Sequence, residues 1–273
     1  MGERSMTGRK LGWLAGLLVL LAPAMAQAIC IPVAQGPVPM RPTLASYRLA
    51  AVQPGNVSLT YIGHSSFIIE TAAGVTAVTD YNGYIKPPFI PTLVSMNNAH
   101  STHYTDFPEA QIKHVLRGWG TYEEMTRYNV VEEDLRVHNV QTNVREYGGT
   151  RFNGNSIFVF ETAGICIAHL GHLHHTLTDQ HLGALGKIDV LLVPVDGMYT
   201  MDQFDMIEVI RQIKPSIVIP MHFFSEARLS RFLGRLQAEA NFTISRNTNT
   251  TLTLNPATIP SPRRPEVWVL PGN

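Results

Sequence analysis

Histidine carries the chemical signal in this chain. Of its 11 histidines, eight fall where a short apolar run gives way to a polar loop. His64 follows residues 57–62, and His100 and His103 follow 92–96. His169, His172, His174 and His175 follow 165–168, and His222 follows 217–220. Neutral imidazole is a good donor to zinc, iron and other borderline metals. Loops at one edge of a sheet are aimed by the rigid strands beneath them, so this clustering reads as a metal centre. The 169–175 tract is fused to apolar strand residues and to Gly171, which argues for a buried turn rather than a loose surface run. His114, His138 and His181 stand apart and read as surface or capping residues.

The elements that must position these side chains are legible from periodicity. Residues 57–62 and 66–70, split by a Gly-His-Ser break, read as paired strands. Short strands are expected at 75–79, 92–96, 136–143, 156–162, 165–168, 190–195 and 217–220, with two more at 250–254 and 267–270. Residues 202–213 and 229–240 have helical spacing, the first ending before Lys214-Pro215. Residues 111–116 read as a short helix. Strands dominate the first half and alternate with helices in the second, the pattern of a layered α/β domain.

Composition narrows the function classes. Lys+Arg and Asp+Glu balance at 21 each among 273 residues. That balance gives no electrostatic case for nucleic acid or an anionic membrane surface. Arg4, Arg9 and Lys10 precede an apolar run, 11–22, then Pro23 and the small residues of 24–28 (AMAQA). This is the layout of a secretory signal, with cleavage near Ala26 or Ala28. The run is shorter than the roughly 20 residues of a membrane span. The expected organisation is a signal peptide over 1–28, a Pro-, Ala- and Gln-rich arm over 29–55, and one domain over 56–273. Export to the periplasm or beyond follows, with no stable span after cleavage. Cys30 and Cys166 are the two cysteines. Cys166, in an apolar strand, reads as a buried thiol, with a bridge to Cys30 permitted by an oxidising compartment.

Five segments together resemble the metallo-β-lactamase superfamily, on the branch of the ascorbate-6-phosphate lactonase-like proteins. Residues 60–67 (TYIGHSSF) are similar to its opening strand and G-H-S-S-F turn, and 79–81 (TDY) to its T-D-P. Residues 167–175 (IAHLGHLHH) resemble A-H-L-G-D-L-G-H, and 220–222 (PMH) match its late P-M-H. Residues 191–200 (LLVPVDGMYT) are similar to its strand and turn at that point. The resemblance implies a four-layered αββα sandwich. The family loop S-H-x-H-x-D-H aligns with 97–103 (NNAHSTH). His100 and His103 keep two histidines, while Asn98 and Thr102 stand where a histidine and the aspartate belong. His172 stands where the metal-bridging aspartate belongs, and the family histidine near Thr142-Asn143 has no counterpart.

The resemblance therefore implies a metal held by His100, His103, His172 and His222. Losing the bridging carboxylate disfavours two close cations, so one divalent ion is expected: Zn²⁺ first, Mn²⁺ or Fe²⁺ next. Asp106 and His175 are the expected acid or base. His64, Asp80, Asn98 and His174 are expected behind the ligands, orienting them by hydrogen bonds. The implied activity is attack of metal-activated water on an ester or lactone, or on a phosphodiester, of a small molecule. The rival reading is a non-catalytic metal-binding or interaction protein on a degenerate hydrolase scaffold, and iron-based oxidation is a third.

Overall fold

The computed structural model describes residues 51–239 and 242–271. The expected signal peptide and nearly all of the expected arm lie outside these residues. Apolar alternation builds a first sheet from β1 (Val57–Gly63), β2 (Ser66–Thr71), β3 (Thr76–Val78), β4 (Leu93–Met96) and β5 (His114–Arg117). A second sheet takes β6 (Asn129–Glu132), β7 (Leu135–Glu146), β8 (Gly149–Thr162), β9 (Ile165–His169), β10 (Val190–Pro194), β11 (Ile217–Met221) and β12 (Thr243–Arg246). The late strand β13 (Thr251–Leu254) returns to the first sheet, which has the order β13-β1-β2-β3-β4-β5. The last strand, β14 (Glu266–Val269), joins the second, ordered β12-β14-β11-β10-β9-β8-β7-β6.

The two sheets face one another across a core that includes Leu59, Phe67, Phe158, Phe160, Ile167, Leu192 and Ile219, all fully buried. Burying each such side chain contributes about 1.5–3 kcal/mol before entropy is counted. Residues one position along each strand point the other way. On the outer face of the second sheet, Ala168, Leu191 and Val218 pack under α1 (Asp179–Leu185), α2 (Gln203–Ile213) and α3 (Glu226–Glu239). On the outer face of the first, Ile68, Val78, Val94 and Met96 lie under Tyr81, Phe89, Tyr104, Ile112 and Trp119, which come from loops or β-strand flanks. The fold is thus the expected sandwich. Among the described residues its fourth layer is loop, not helix.

Several local expectations need correction. The helix expected at 111–116 is the strand β5, because Leu93–Met96 offers it a parallel register from His114 to Arg117. The four-residue edge strands β6 and β12 and the seven-residue helix α1 carry too few residues to show a period. The start of α1 is fixed by a reciprocal cap in which His181 N–H donates to Thr178 Oγ1 and Thr178 N–H donates to His181 Nδ1. His138 is not on the surface; it is buried on β7, 3.3 Å from the Glu161 carboxylate. Cys166 is buried in a disulfide rather than present as a thiol. The sequence's other cysteine, Cys30, lies outside the described residues.

Strands β9, β10 and β11 run parallel, so their C-terminal ends share one edge of the sandwich. The turn leaving β9 needs a glycine. Gly171 has φ +60°, and a Cβ there would stand 2.5 Å from Asn97 Cβ and 2.7 Å from Asn155 Oδ1. Gly171→Ala should therefore destabilise the fold by about 1–3 kcal/mol, measurable by urea unfolding. A change below about 0.5 kcal/mol, the range of an ordinary surface substitution, would contradict this packing.

Candidate metal centre

The histidine loops meet at that edge. His64, at the β1–β2 turn, and His222, after β11, come from opposite sheets. Their main chains are joined, because His222 N–H donates to the His64 carbonyl at 2.7 Å, and Tyr61 O–H donates to the same oxygen at 3.0 Å. His103 enters from the loop after β4. One nitrogen from each of His64, His103 and His222 lies within 4.8 Å of the other two. His172 reaches the group through His103, with Nδ1 3.0 Å from His103 Nε2. Two imidazoles on one tetrahedral zinc have nitrogens about 3.3 Å apart, given Zn–N bonds of about 2.0–2.1 Å. The spacing suits shared coordination.

The polypeptide is strained to achieve this. His64 (φ 52°), Asp80 (φ 45°) and His222 (φ 53°) all adopt left-handed backbone. Each such residue costs about 1–2 kcal/mol, and such outliers concentrate at functional sites.

Two buried carboxylates fix the ring orientations. Asp80 Oδ2 accepts from His103 Nδ1–H at 2.6 Å, and Asp196 Oδ2 accepts from His222 Nδ1–H at 3.1 Å. Each bond leaves Nε2 as the lone-pair donor, the tautomer a metal requires. His169 is used differently. It donates from Nε2 to Ser65 O (2.7 Å) and accepts Gly171 N–H at Nδ1 (3.1 Å), so neither nitrogen is left for a metal.

Burial governs the charges. It lowers His64 to about 3, helped by His222 and His103. It also holds His103 and His172 well below the ordinary histidine value. The same burial raises Asp80. Burial pushes Asp196 up too, but hydrogen bonds from His222, Thr200 and Met198 N–H outweigh it and hold the carboxyl well below the usual range. The result is that His64, His103 and His172 stand uncharged beside an ionised carboxylate. Nε2 of His64 is buried without a hydrogen-bond partner among the described residues. An unpaired buried imidazole nitrogen is costly, and a divalent cation would satisfy it. The donor set fits zinc or another borderline metal.

The other residues singled out from sequence distribute as follows. His100 is exposed at the mouth, its ring stacked on His172 at 5.6 Å, with Nδ1 3.0 Å from Thr102 Oγ1. Asn98 turns away, donating to Gly154 O and accepting from Arg151. Asp106 is exposed in the loop beyond His103. His175 has both nitrogens engaged, donating to Thr176 O and accepting Asn143 N–H, so it has no atom free for proton transfer. His174 accepts Arg145 N–H at Nδ1 (3.2 Å), which places its own proton on Nε2. That Nε2 is buried without a partner, and the ring lies 4.8 Å from His172. The His174 and His175 rings thus sit against the β7 backbone at 143–145, beside the position where the family histidine is missing. Burial, then Arg145, lowers His174 to about 4.

Sequence reasoning passed over Asp196. Its signal was a carboxylate at the C-terminal end of an apolar strand, inside the 191–200 segment. His64, expected behind the ligands, lies with His103 and His222, one nitrogen of each within 4.8 Å of the others.

Comparison with known proteins agrees with this geometry. A sequence model of the β-lactamase superfamily domain matches residues 58–222, from β1 to the His222 turn. The chain belongs to the metallo-β-lactamase superfamily. It is similar to a UPF0173 metal-dependent hydrolase of Nanoarchaeum equitans, 28% identical over 61% of this chain and 84% of that one. One of Opitutus terrae is 28% identical over 68% and 92%. A solved structure from Thermotoga maritima, described as a candidate Zn-dependent hydrolase of the superfamily, has 27% identity and a TM-score of 0.55. It covers 79% of this chain and 100% of that one. Residue by residue, the superfamily member in hand keeps His103 and His222 at the centre, adds His64, and presents His172 where a bridging carboxylate is expected.

Substitution tests the ligand assignment. His103→Ala and His222→Ala should each abolish stable zinc binding. Asp196→Asn should weaken it by about 10–100-fold through loss of ring orientation. Equilibrium dialysis with metal analysis reads this out. Unchanged zinc content in both alanine variants would refute the centre.

Proposed function

We propose that the chain is a metal-dependent hydrolase that binds one divalent ion, zinc by preference, and cleaves a carboxylic ester or lactone. The observation that carries this reading is the convergence of His64, His103 and His222, with His64 Nε2 buried and unsatisfied. An ion held there by these residues and His172 would lower the pKa of a bound water to about 7 and polarise a carbonyl oxygen.

The protein's own groups do the rest. Asp80 and Asp196 keep the imidazoles in the donor tautomer, and Asp196 supplies negative charge without occupying a coordination position. His174 offers an Nε2–H donor that no atom of the described residues takes up. We assign it to the oxygen that gains charge when water adds to the carbonyl. His100 is exposed and uncommitted at Nε2. We assign it the proton released by the attacking water, which it returns to the departing alkoxide. A bond forms between water oxygen and the acyl carbon, the acyl C–O bond breaks, and the products are an acid and an alcohol. Export to an oxidising compartment is supported by the disulfide at Cys166.

A second reading has a specific observation behind it. If His172 fills the fourth position, four imidazoles close the coordination shell and the site is structural. The two readings separate on one experiment. The full chain is loaded with zinc and tested against ester, lactone and phosphodiester panels, with metal content measured alongside. One equivalent of zinc with ester or lactone turnover, lost in His103→Ala, supports the hydrolase. One equivalent with no turnover on any panel favours the closed site. Within the hydrolase reading, His174→Ala should lower kcat by about 10²-fold or more while zinc content holds, the usual cost of one oxyanion donor. Loss of zinc instead would make His174 a ligand.

A further inference from the structure

The mouth of the centre has an apolar side that the chemistry above does not use. Phe224 is 55% exposed, and its ring lies 5.3 Å from His222 and 5.6 Å from His64. Tyr199 is 61% exposed and meets Phe224 edge-on at 5.4 Å. Met198, 60% exposed, precedes Tyr199 on the same turn, its Sδ accepting from Arg228 at 2.6 Å. Scattered apolar residues on a surface need no explanation. A contiguous aromatic patch abutting catalytic groups does, because binding sites pair apolar walls with a few polar atoms.

This patch is also built, not loose. Asp196 Oδ1 accepts the backbone N–H of Met198 (2.9 Å), Tyr199 (2.5 Å) and Thr200 (3.1 Å), folding the turn that displays the two side chains. Oδ2 of the same carboxylate orients His222 and takes the Thr200 hydroxyl. Arg228 braces the turn from α3 by donating to Asp196 O at 2.7 Å. One side chain therefore sets both a metal-binding imidazole and the apolar rim. The position of His222 relative to the 198–200 turn is held by that one carboxylate.

Resting on the hydrolase reading, we propose that Met198, Tyr199 and Phe224 form the acyl subsite. The substrate is then an ester or lactone carrying an unbranched apolar acyl chain, whose scissile carbonyl lies at the metal while the chain runs across Tyr199 and Phe224. Asp196 acts on this subsite as a positioning residue.

The test uses the zinc-loaded full chain and 4-nitrophenyl esters from acetate to octanoate. The expected gain in kcat/KM is about twofold per methylene, below the fully buried value because the rim is open. Tyr199→Ala and Phe224→Ala should each lower kcat/KM for octanoate by about tenfold, with acetate within about twofold and zinc content unchanged. Val131→Ala, an exposed apolar residue on the far edge strand β6, should leave the series intact. Calorimetry supplies a readout apart from turnover: octanoate should bind the zinc-loaded protein and should fail to bind the Tyr199→Ala/Phe224→Ala double variant. If octanoate binds at the rim and neither ester nor lactone is cleaved, the ester/lactone reading falls and the rim stands. Cleavage with a flat chain-length series, or one that survives both alanines, overturns the subsite. So would rim-dependent sedimentation with phosphatidylcholine vesicles together with a flat series, which would make the patch a membrane contact.

Discussion

The hydrogen bond from His222 N–H to the His64 carbonyl is the constraint on which the site depends. It ties the first sheet to the second at the edge where the parallel strands end. Both residues pay for it in left-handed backbone. Its consequence is that two imidazoles stand with ring centroids 4.2 Å apart. His103 stacks on His222 at 5.1 Å, nearly parallel. Burial and mutual repulsion both oppose charge here, and they keep His64 and His103 neutral. A pocket of uncharged nitrogen donors with ionised Asp196 behind it is poised for a cation. Sheet pairing, strain and electrostatics thus express one arrangement.

The carboxylates deserve equal weight with the imidazoles. Where the superfamily pattern places an aspartate directly at the metal, this chain has His172. Negative charge has not left the site, because Asp196 holds it one bond further out, through the His222 imidazole. Charge delivered in this way strengthens each ligand but does not bridge two ions. That favours a single ion with borderline-soft nitrogen ligands over a pair of cations sharing an oxygen.

Much of this was legible in the sequence, for identifiable reasons. Apolar strands such as β9, β10 and β11 announce themselves by composition, and the histidines after them fall at strand ends because the strands are parallel and open to one edge. β5 is not legible, because Gln111–Leu116 holds too few residues to separate a helical period from a strand. Its state is decided by the free edge of β4, which is tertiary information. Ring roles were less legible still. His169, His172, His174 and His175 lie within seven residues, yet backbone partners separate them. His169 and His175 are saturated by main-chain groups, while His172 and His174 keep a nitrogen for the site. No spacing rule sorts them, because their partners come from Ser65 and the 143–145 backbone, distant in sequence. Asp196 was overlooked for the opposite reason. Its segment was noticed as a whole, but nothing in one dimension shows a carboxylate reaching from β10 to the histidine after β11.

The coupling through Asp196 has a consequence for how such a site can change. A turn held only by its own backbone could vary its rim residues without touching the metal. Here the three N–H groups that shape the rim and the ring nitrogen that fixes His222 share one carboxylate. Shifting the turn by even a small distance must also rotate His222 or lose hydrogen bonds from buried groups, each worth about 1 kcal/mol or more. Exchange of side chains at positions 199 and 224 avoids that penalty, since Tyr199 is exposed and Phe224 lies beyond the turn, whereas Met198 Sδ accepts from the Arg228 that braces Asp196. Specificity can therefore drift by side-chain substitution on a fixed backbone, while the carboxylate beneath stays under constraint from the metal centre.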